Sequence, residues 1–301
     1  MTGAVDPRAE RAPMTLPRVA EMKRSGEPIV MVTAYDHPSA EVAEAAGVDL
    51  VLVGDTGAMT VLGYDSTVPV GMDEMLVLAR AVRRGLRTPL MIGDLPFGSY
   101  EGSNELAVGS AQRYIKEARC DAVKLERGGA SVERARAIIR AGIPVMGHVG
   151  LTPQTATQFG GYKAQGRTAE RATQIAEESL ALQAAGCFAI VFEAVPAAVT
   201  AALVERLEVP VIGIGAGADA DGQVLVFHDL LGIYAGRAPR FVKRYAELKR
   251  EMVDGVSRYA AEVRAGNFPQ DEHTYGIDPD ELTSFRRYLD QESLASSAWD
   301  W

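Results

Sequence analysis

The chain has 301 residues, with 31 Lys or Arg against 40 Asp or Glu, and so carries a formal charge of −9 at pH 7. That sign excludes a surface built to neutralise a nucleic-acid backbone. Hydrophobic residues make up 47% and charged residues 24%, the balance of an ordinary globular protein, and no apolar run is long enough to cross a bilayer, so neither nucleic acid nor membrane is an expected partner.

The opening MTGAVDPRAERAPM mixes acids, bases and prolines where a secretory signal needs an apolar stretch. Residues 1–14 therefore read as a flexible leader, and the protein as cytoplasmic. Apolar runs rich in Val, Ile and Leu then recur at 29–34, 49–54, 89–93, 121–125, 143–147, 188–192, 209–214 and, most weakly, 232–235. Such runs are the mark of parallel strands buried on both faces. Between them, 39–46, 72–84, 105–118, 132–140, 170–185 and 197–207 carry good helix formers. Ala-Gly pairs at 46–47, 141–142 and 185–186 fit helices that end at a left-handed glycine just before a strand. Eight strand-then-helix units predict a closed (β/α)₈ barrel, with an open doubly wound sheet as the competing topology. The expected barrel domain spans 15–275 and includes a long amphipathic helix over 241–265; residues 276–301 form a polar extension. Two longer connections, 56–71 and 149–167, are rich in Gly, Thr and Pro and read either as loops at the functional end or as plain insertions. Cys120 and Cys187 lack a CxxC partner or a nearby His and read as buried, reduced and inert.

What stands at the end of each run carries the chemistry. VLVGD ends in Asp55, LMIGD in Asp94, AVKLE in Glu126 and AIVFE in Glu193, while VMGHV holds His148. In a barrel these ends meet at one mouth. Carboxylates facing one another resist ionising unless a cation sits among them, so a metal ion or a lysine is implied. Lys124, two residues before Glu126, shares its face of the strand. Taken singly, each acid could equally cap the next helix, and His148 reads as a positioning group rather than a ligand. Oxygen donors with no cysteine suit Mg²⁺ rather than zinc. Such a site can polarise a 2-oxo acid for loss of a neighbouring proton, with Glu193 as the base and Lys124 against the substrate carboxylate or enolate oxygen. Weaker features are GIGAG at 213–217, a phosphate loop or a tight turn, and Tyr162, Lys163 and Arg167, a solvated loop or a lid over an anionic cosubstrate.

Beyond these residues, the sequence resembles ketopantoate hydroxymethyltransferase, the 3-methyl-2-oxobutanoate hydroxymethyltransferase of pantothenate synthesis. The resemblance runs from about Met31 to His273 and rests on TAYD at Thr33, VGDTGAMTVLGYDSTVPV at Val53, DLPF at Asp94, VKLE at Val123, GHVGLTPQ at Gly147, FGGYKAQGR at Phe159, PVIGIGAG at Pro210, DGQVLVFHDLLG at Asp221 and APRF at Ala238. It implies a (β/α)₈ barrel of the phosphoenolpyruvate and pyruvate-binding type, assembled as a homo-oligomeric decamer. It implies Mg²⁺-assisted enolisation of 3-methyl-2-oxobutanoate and attack on the one-carbon unit of the cosubstrate 5,10-methylenetetrahydrofolate. By the same resemblance Asp55, Asp94 and Glu126 are metal-associated; Asp55, Thr56, Asp94 and Lys124 contact the oxo acid; and Glu193 is the proton acceptor. The chain departs from the family at Thr56-Gly57-Ala58, where Ser then Leu-Gly is usual, at an inserted Arg127 placed beside the metal, at Ala194, and at Arg240 in APRF. Two rivals remain: a 2-oxo-acid carbon-carbon lyase or mutase on the same barrel, which would carry a Lys-x-Cys-Gly-His loop, and a non-catalytic barrel scaffold.

Overall fold

A computed structural model describes residues 11–155, 161, 163–234 and 239–292. Strands β1 (Ile29–Thr33), β2 (Leu50–Val53), β3 (Leu90–Asp94), β4 (Ala122–Lys124), β5 (Val145–Gly150), β6 (Ala189–Glu193), β7 (Val211–Ile214) and β8 (Gly222–Leu225) close in sequence order into a parallel barrel. Helices α2 (His37–Ala46), α3 (Gly57–Thr60), α4 (Met72–Gly85), α5 (Asn104–Ala118), α6 (Val132–Arg140), α7 (Ala169–Ala185) and α8 (Ala197–Val204) lie between them. The open-sheet alternative is thereby removed. Contacts gather Met1–Glu247 into one unit and Leu248–Trp301 into another, whereas the sequence reading drew its boundary at 275.

Strand alternation sorts the side chains into two cores. Inward go Met31, Leu50, Leu52, Leu90, Ile92, Ala122, Met146, Val191, Ile212 and Val224, filling the barrel. Outward go Val32, Val51, Val53, Met91, Val123, Val145, Ile190 and Phe192, packed under the helices. Both faces are dry, which is why the strands read as continuous apolar runs. The Ala-Gly stops behave as expected, with Gly47, Gly142 and Gly186 at φ of 73°, 87° and 100°. The long helix is shorter than predicted: α10 covers Leu248–Arg264, after α9 (Phe227–Leu230), and α11 (Pro279–Glu292) follows it.

Two features differ from expectation. The eighth strand is Gly222–Leu225, while 232–234 form no strand and residue 235 lies outside the described residues. The strand begins with Gly222 and the exposed Gln223, so only its second half is apolar, and the run Val224 to Phe227 carries on past its end into α9. The second is α1 (Leu16–Ser25), which the sequence reading did not single out. It has a clear signature: Thr15 accepts the Arg18 N–H as N-cap, Pro17 opens the first turn, and Gly26 ends it at φ 69°. Its Val19 and Met22 pack on the inner core, and Lys23 pairs at 2.7 Å with Asp221, just ahead of β8. Thus α1 stoppers the barrel at the end where the strands begin.

Candidate active site

Polar residues continue the inward register where the apolar layers stop. After Met31 comes Thr33, after Ile92 Asp94, after Ala122 Lys124 and then Glu126, after Met146 His148, and after Val191 Glu193. The alternation that fills the barrel with methyl groups therefore delivers these side chains to its C-terminal mouth. Asp55 is out of phase; the chain leaves β2 at Gly54 and turns, and the Asp55 N–H donates to Asp94 Oδ2 at 3.1 Å. Asp55, Thr56, Asp94, Lys124, Glu126, His148 and Glu193 all line one cavity of about 540 Å³. These seven candidates thus share one cavity, while Arg167 is not among the residues that line it.

The acids and bases interlock. Lys124 Nζ lies 2.7 Å from Asp94 Oδ1 and 3.7 Å from Glu126 Oε1. His148 bridges two acids, with Nδ1 3.6 Å from Glu126 Oε1 and Nε2 3.3 Å from Glu193 Oε2. His148 Nε2 makes no well-directed hydrogen bond, and Nδ1 also lies 3.5 Å from Lys124 Nζ. Asp55, Asp94, Lys124, Glu126 and His148 are all at most 3% exposed, whereas Glu193 is only partly buried at the cavity wall.

Burial, then the charges of Asp94 and Glu126, push the Asp55 carboxyl well above the usual range, only partly offset by Lys124 and Gln154. Burial also raises Asp94, against the pull of Lys124. Glu126 goes the other way: burial is outweighed by Lys124 and His148, so it stays ionised below its ordinary value. For Lys124 the desolvation penalty is overcome by Asp94, Glu126 and Asp55, which hold the ammonium charged. For His148 desolvation and Lys124 work against charge, but Glu126 and Glu193 prevail and lift it to about 9. Asp55, Asp94, Glu126 and Glu193 against Lys124 and His148 leave an excess of negative charge in a low-dielectric space, and Asp55 bears the cost.

A divalent cation fits that imbalance. Among the described residues no group of three or more His, Cys, Asp or Glu is drawn together tightly enough to enclose a metal ion. Glu126 has one oxygen facing Lys124 and His148 and the other accepting the Gln154 N–H at 3.1 Å. Asp94 is engaged as well, its Oδ1 by Lys124 Nζ at 2.7 Å and its Oδ2 by the Asp55 N–H at 3.1 Å. A cation held by the adjacent pair Asp55 and Asp94 would therefore displace one of these contacts, in the manner of Mg²⁺ held by one or two carboxylates with substrate and water completing the octahedron.

Sequence reasoning missed the neutral groups that frame the acids. Gln154 Nε2 donates to Asp55 Oδ2 at 3.0 Å, and Tyr100 donates to Gln154 Oε1 at 2.6 Å. Tyr114 donates to the Asp94 carbonyl at 2.5 Å. Gln154 stood within the quoted GHVGLTPQ block, but an uncharged amide past the strand carries no signal of its own. Lys163 and Arg240, both exposed, also line the cavity, while Tyr162 lies outside the described residues.

The family model described as ketopantoate hydroxymethyltransferase matches residues 13–271. The chain belongs to that family. A relative from Moorella thermoacetica, named 3-methyl-2-oxobutanoate hydroxymethyltransferase, is 53% identical over 267 residues, covering 89% of this chain and 99% of its own. One of the same name from Thermus thermophilus is 52% identical, covering 83% and 95%. A mitochondrial one from Arabidopsis thaliana is 47% identical over 98% and 87%. Among solved structures, 2,3-dimethylmalate lyase superposes with a TM-score of 0.55 at 16% identity, covering 94% of this chain and all of its own. Phosphonopyruvate hydrolase gives 0.56 at 14%, covering 93% and 98%. At such identities these last two share the fold.

The departures from the family pattern can now be placed. The Thr56 hydroxyl survives the change from Ser and lies 2.6 Å from the buried Tyr35 hydroxyl. Arg127, expected beside the metal, instead lines a separate cavity with Gly128, Arg171 and Glu178, and its charge acts on Glu178. A left-handed turn at Arg127, φ 68°, swings it away from the Glu126 side of the chain. Ala194 also takes a left-handed φ, 50°, directly after Glu193, local strain of the kind that collects at functional sites. Two of the GIGAG glycines are required by close packing: a Cβ on Gly215 would strike Phe241 at 2.4 Å and one on Gly217 would strike Ala197 at 2.5 Å.

Proposed function

We propose that this protein transfers a hydroxymethyl group from 5,10-methylenetetrahydrofolate to 3-methyl-2-oxobutanoate, giving 2-dehydropantoate for pantothenate and coenzyme A synthesis. The observation that carries this reading is the gathering of Asp55, Asp94, Lys124 and Glu193 around one cavity in a chain 53% identical to a relative of that name over nearly its full length. Asp55 and Asp94 would hold Mg²⁺, with Glu126 as an outer carboxylate that keeps Lys124 and His148 charged. Bound there, the cation would supply Lewis acidity to an enolising 2-oxo acid. Thr56 and Lys124 hold the oxo acid through its oxygens. Glu193 takes the proton from the carbon beside the carbonyl; the C–H electron pair forms the carbon-carbon double bond and the carbonyl π pair moves onto oxygen. His148 Nε2, 3.3 Å from Glu193 Oε2, orients that carboxylate. The enolate carbon then bonds the one-carbon unit; both bonds from that carbon to the two folate nitrogens break, water supplies the hydroxyl, and the nitrogens take up the proton left by water and the proton held by Glu193. Lys163 and Arg240 place positive charge at the mouth, suited to the carboxylates of the folate tail.

No cysteine lines this cavity, which weighs against the lyase or mutase reading. Cys120 and Cys187 are buried, free thiols, each pushed up to about 12 by burial, as a reducing cytoplasm permits. Among the described residues no helix is long and apolar enough to span a membrane. A homo-oligomer, by family resemblance a decamer, fits two exposed apolar features: Val30 on the outer face of β1, at 51%, and the Met252, Val256, Tyr259 and Val263 stripe of α10.

Solvent deuterium exchange into 3-methyl-2-oxobutanoate tests the chemistry without folate. Exchange is expected with Mg²⁺ and not with chelator, and Glu193→Gln should slow it by about 10²–10⁴-fold. A variant exchanging at the wild-type rate removes the base assignment.

A further inference from the structure

We propose that Gln154 is a positioning residue that locks the orientation of Asp55, so that one carboxylate oxygen is held by protein and the other is presented to a cation. This rests on the cation reading above and concerns what keeps that site in shape. Every polar atom of the Gln154 side chain is committed. Its Nε2 carries two N–H groups, and two acceptors face it: Asp55 Oδ2 at 3.0 Å and the Leu95 carbonyl at 2.9 Å. Its Oε1 accepts from the Tyr100 hydroxyl at 2.6 Å. A flipped amide would set an oxygen against two oxygens, so the network itself fixes which end is which.

The same residue reaches the second acid through its backbone. The Gln154 N–H donates to Glu126 Oε2 at 3.1 Å, and the Glu126 N–H donates back to the Tyr100 hydroxyl at 3.3 Å. Gln154, Tyr100, Glu126 and Asp55 therefore form one hydrogen-bonded unit, buried throughout. Rotating the Asp55 carboxylate would take the acceptor from a buried amide N–H, a loss on the scale of an unsatisfied buried donor. Gln154 stands in the 149–167 connection, so its side-chain amide ties that part of the chain to Asp55. Groups that orient the direct ligands of a metal commonly govern its affinity by 10–100-fold.

The test uses Mn²⁺ as the probe, followed by electron paramagnetic resonance on the full-length protein without substrate. Wild type should bind Mn²⁺. Gln154→Met, similar in volume but unable to donate, should weaken binding by about 10–100-fold, with deuterium exchange recovering as Mg²⁺ is raised. Tyr100→Phe, which leaves the amide in place but removes its anchor, should act in the same direction and more weakly; it carries the test if the first variant does not fold. A lowered melting temperature with unchanged Mn²⁺ affinity in both variants overturns the proposal alone. A wild-type protein that binds no Mn²⁺ overturns the cation reading and this inference with it.

Discussion

Gly93 shows how a missing methyl group supports the site. A Cβ built there would lie 2.5 Å from the Tyr114 ring, and the Tyr114 hydroxyl donates to the carbonyl of the neighbouring Asp94. Overpacking of this kind costs about 1–3 kcal/mol. Gly93→Ala should therefore lower the urea midpoint by that equivalent and slow deuterium exchange, because Asp94 moves with the strand. At this scale the charged residues were readable: Asp94, Lys124, Glu126, His148 and Glu193 each follow an apolar run at even spacing, and charge after a buried strand is conspicuous. Gln154 and Tyr100 were not, because uncharged groups in loops act through three-dimensional partners that no spacing announces. Arg127 was misplaced because one residue of insertion does not reveal the sign of φ.

One carboxylate ties a helix to the chain that leads into β3, and its hold depends on pH. Glu44, on α2, accepts from the Arg87 N–H at 2.7 Å, the Thr88 N–H at 3.0 Å and the Thr88 hydroxyl at 2.8 Å. Burial alone would raise its carboxyl, but these three donors win and hold it below the ordinary value. A carboxyl depressed in the folded state stabilises fully above the unfolded pKa, and that contribution fades as acid protonates it. Glu44→Gln should cost about 1–3 kcal/mol at pH 7, and the gap from wild type should narrow as the pH falls below about 4. Urea titrations at both pH values check this; a gap independent of pH would refute it. On α1, Met22→Ala should cost about 2–5 kcal/mol for the methylenes removed from the inner core. That helix was written in its caps yet went unnoticed, because only Val19 and Met22 of its length are buried. Strand β8 was hidden because its first two residues are Gly222 and the exposed Gln223, and its apolar residues run on into α9.

The closed barrel itself was legible because its strands are covered twice, and double cover forces the long Val, Ile and Leu runs that a count of eight could use. Association was not, since a stripe on α10 reads the same whether it faces its own chain or another. Within α10 the spacing of Met252, Val256, Tyr259 and Val263 follows one helical face, and none of the residues of this helix is buried. Val256→Asp, and separately Val30→Asp, should shift the protein to smaller species in sedimentation velocity while leaving the far-ultraviolet circular dichroism of the barrel unchanged. Unchanged sedimentation in both would remove the homo-oligomer reading. The stopper helix has a practical corollary. Because α1 closes the face where the strands begin, a tether fixed ahead of Leu16 would anchor the molecule by its floor, and the opening that admits reactants would point away from the support.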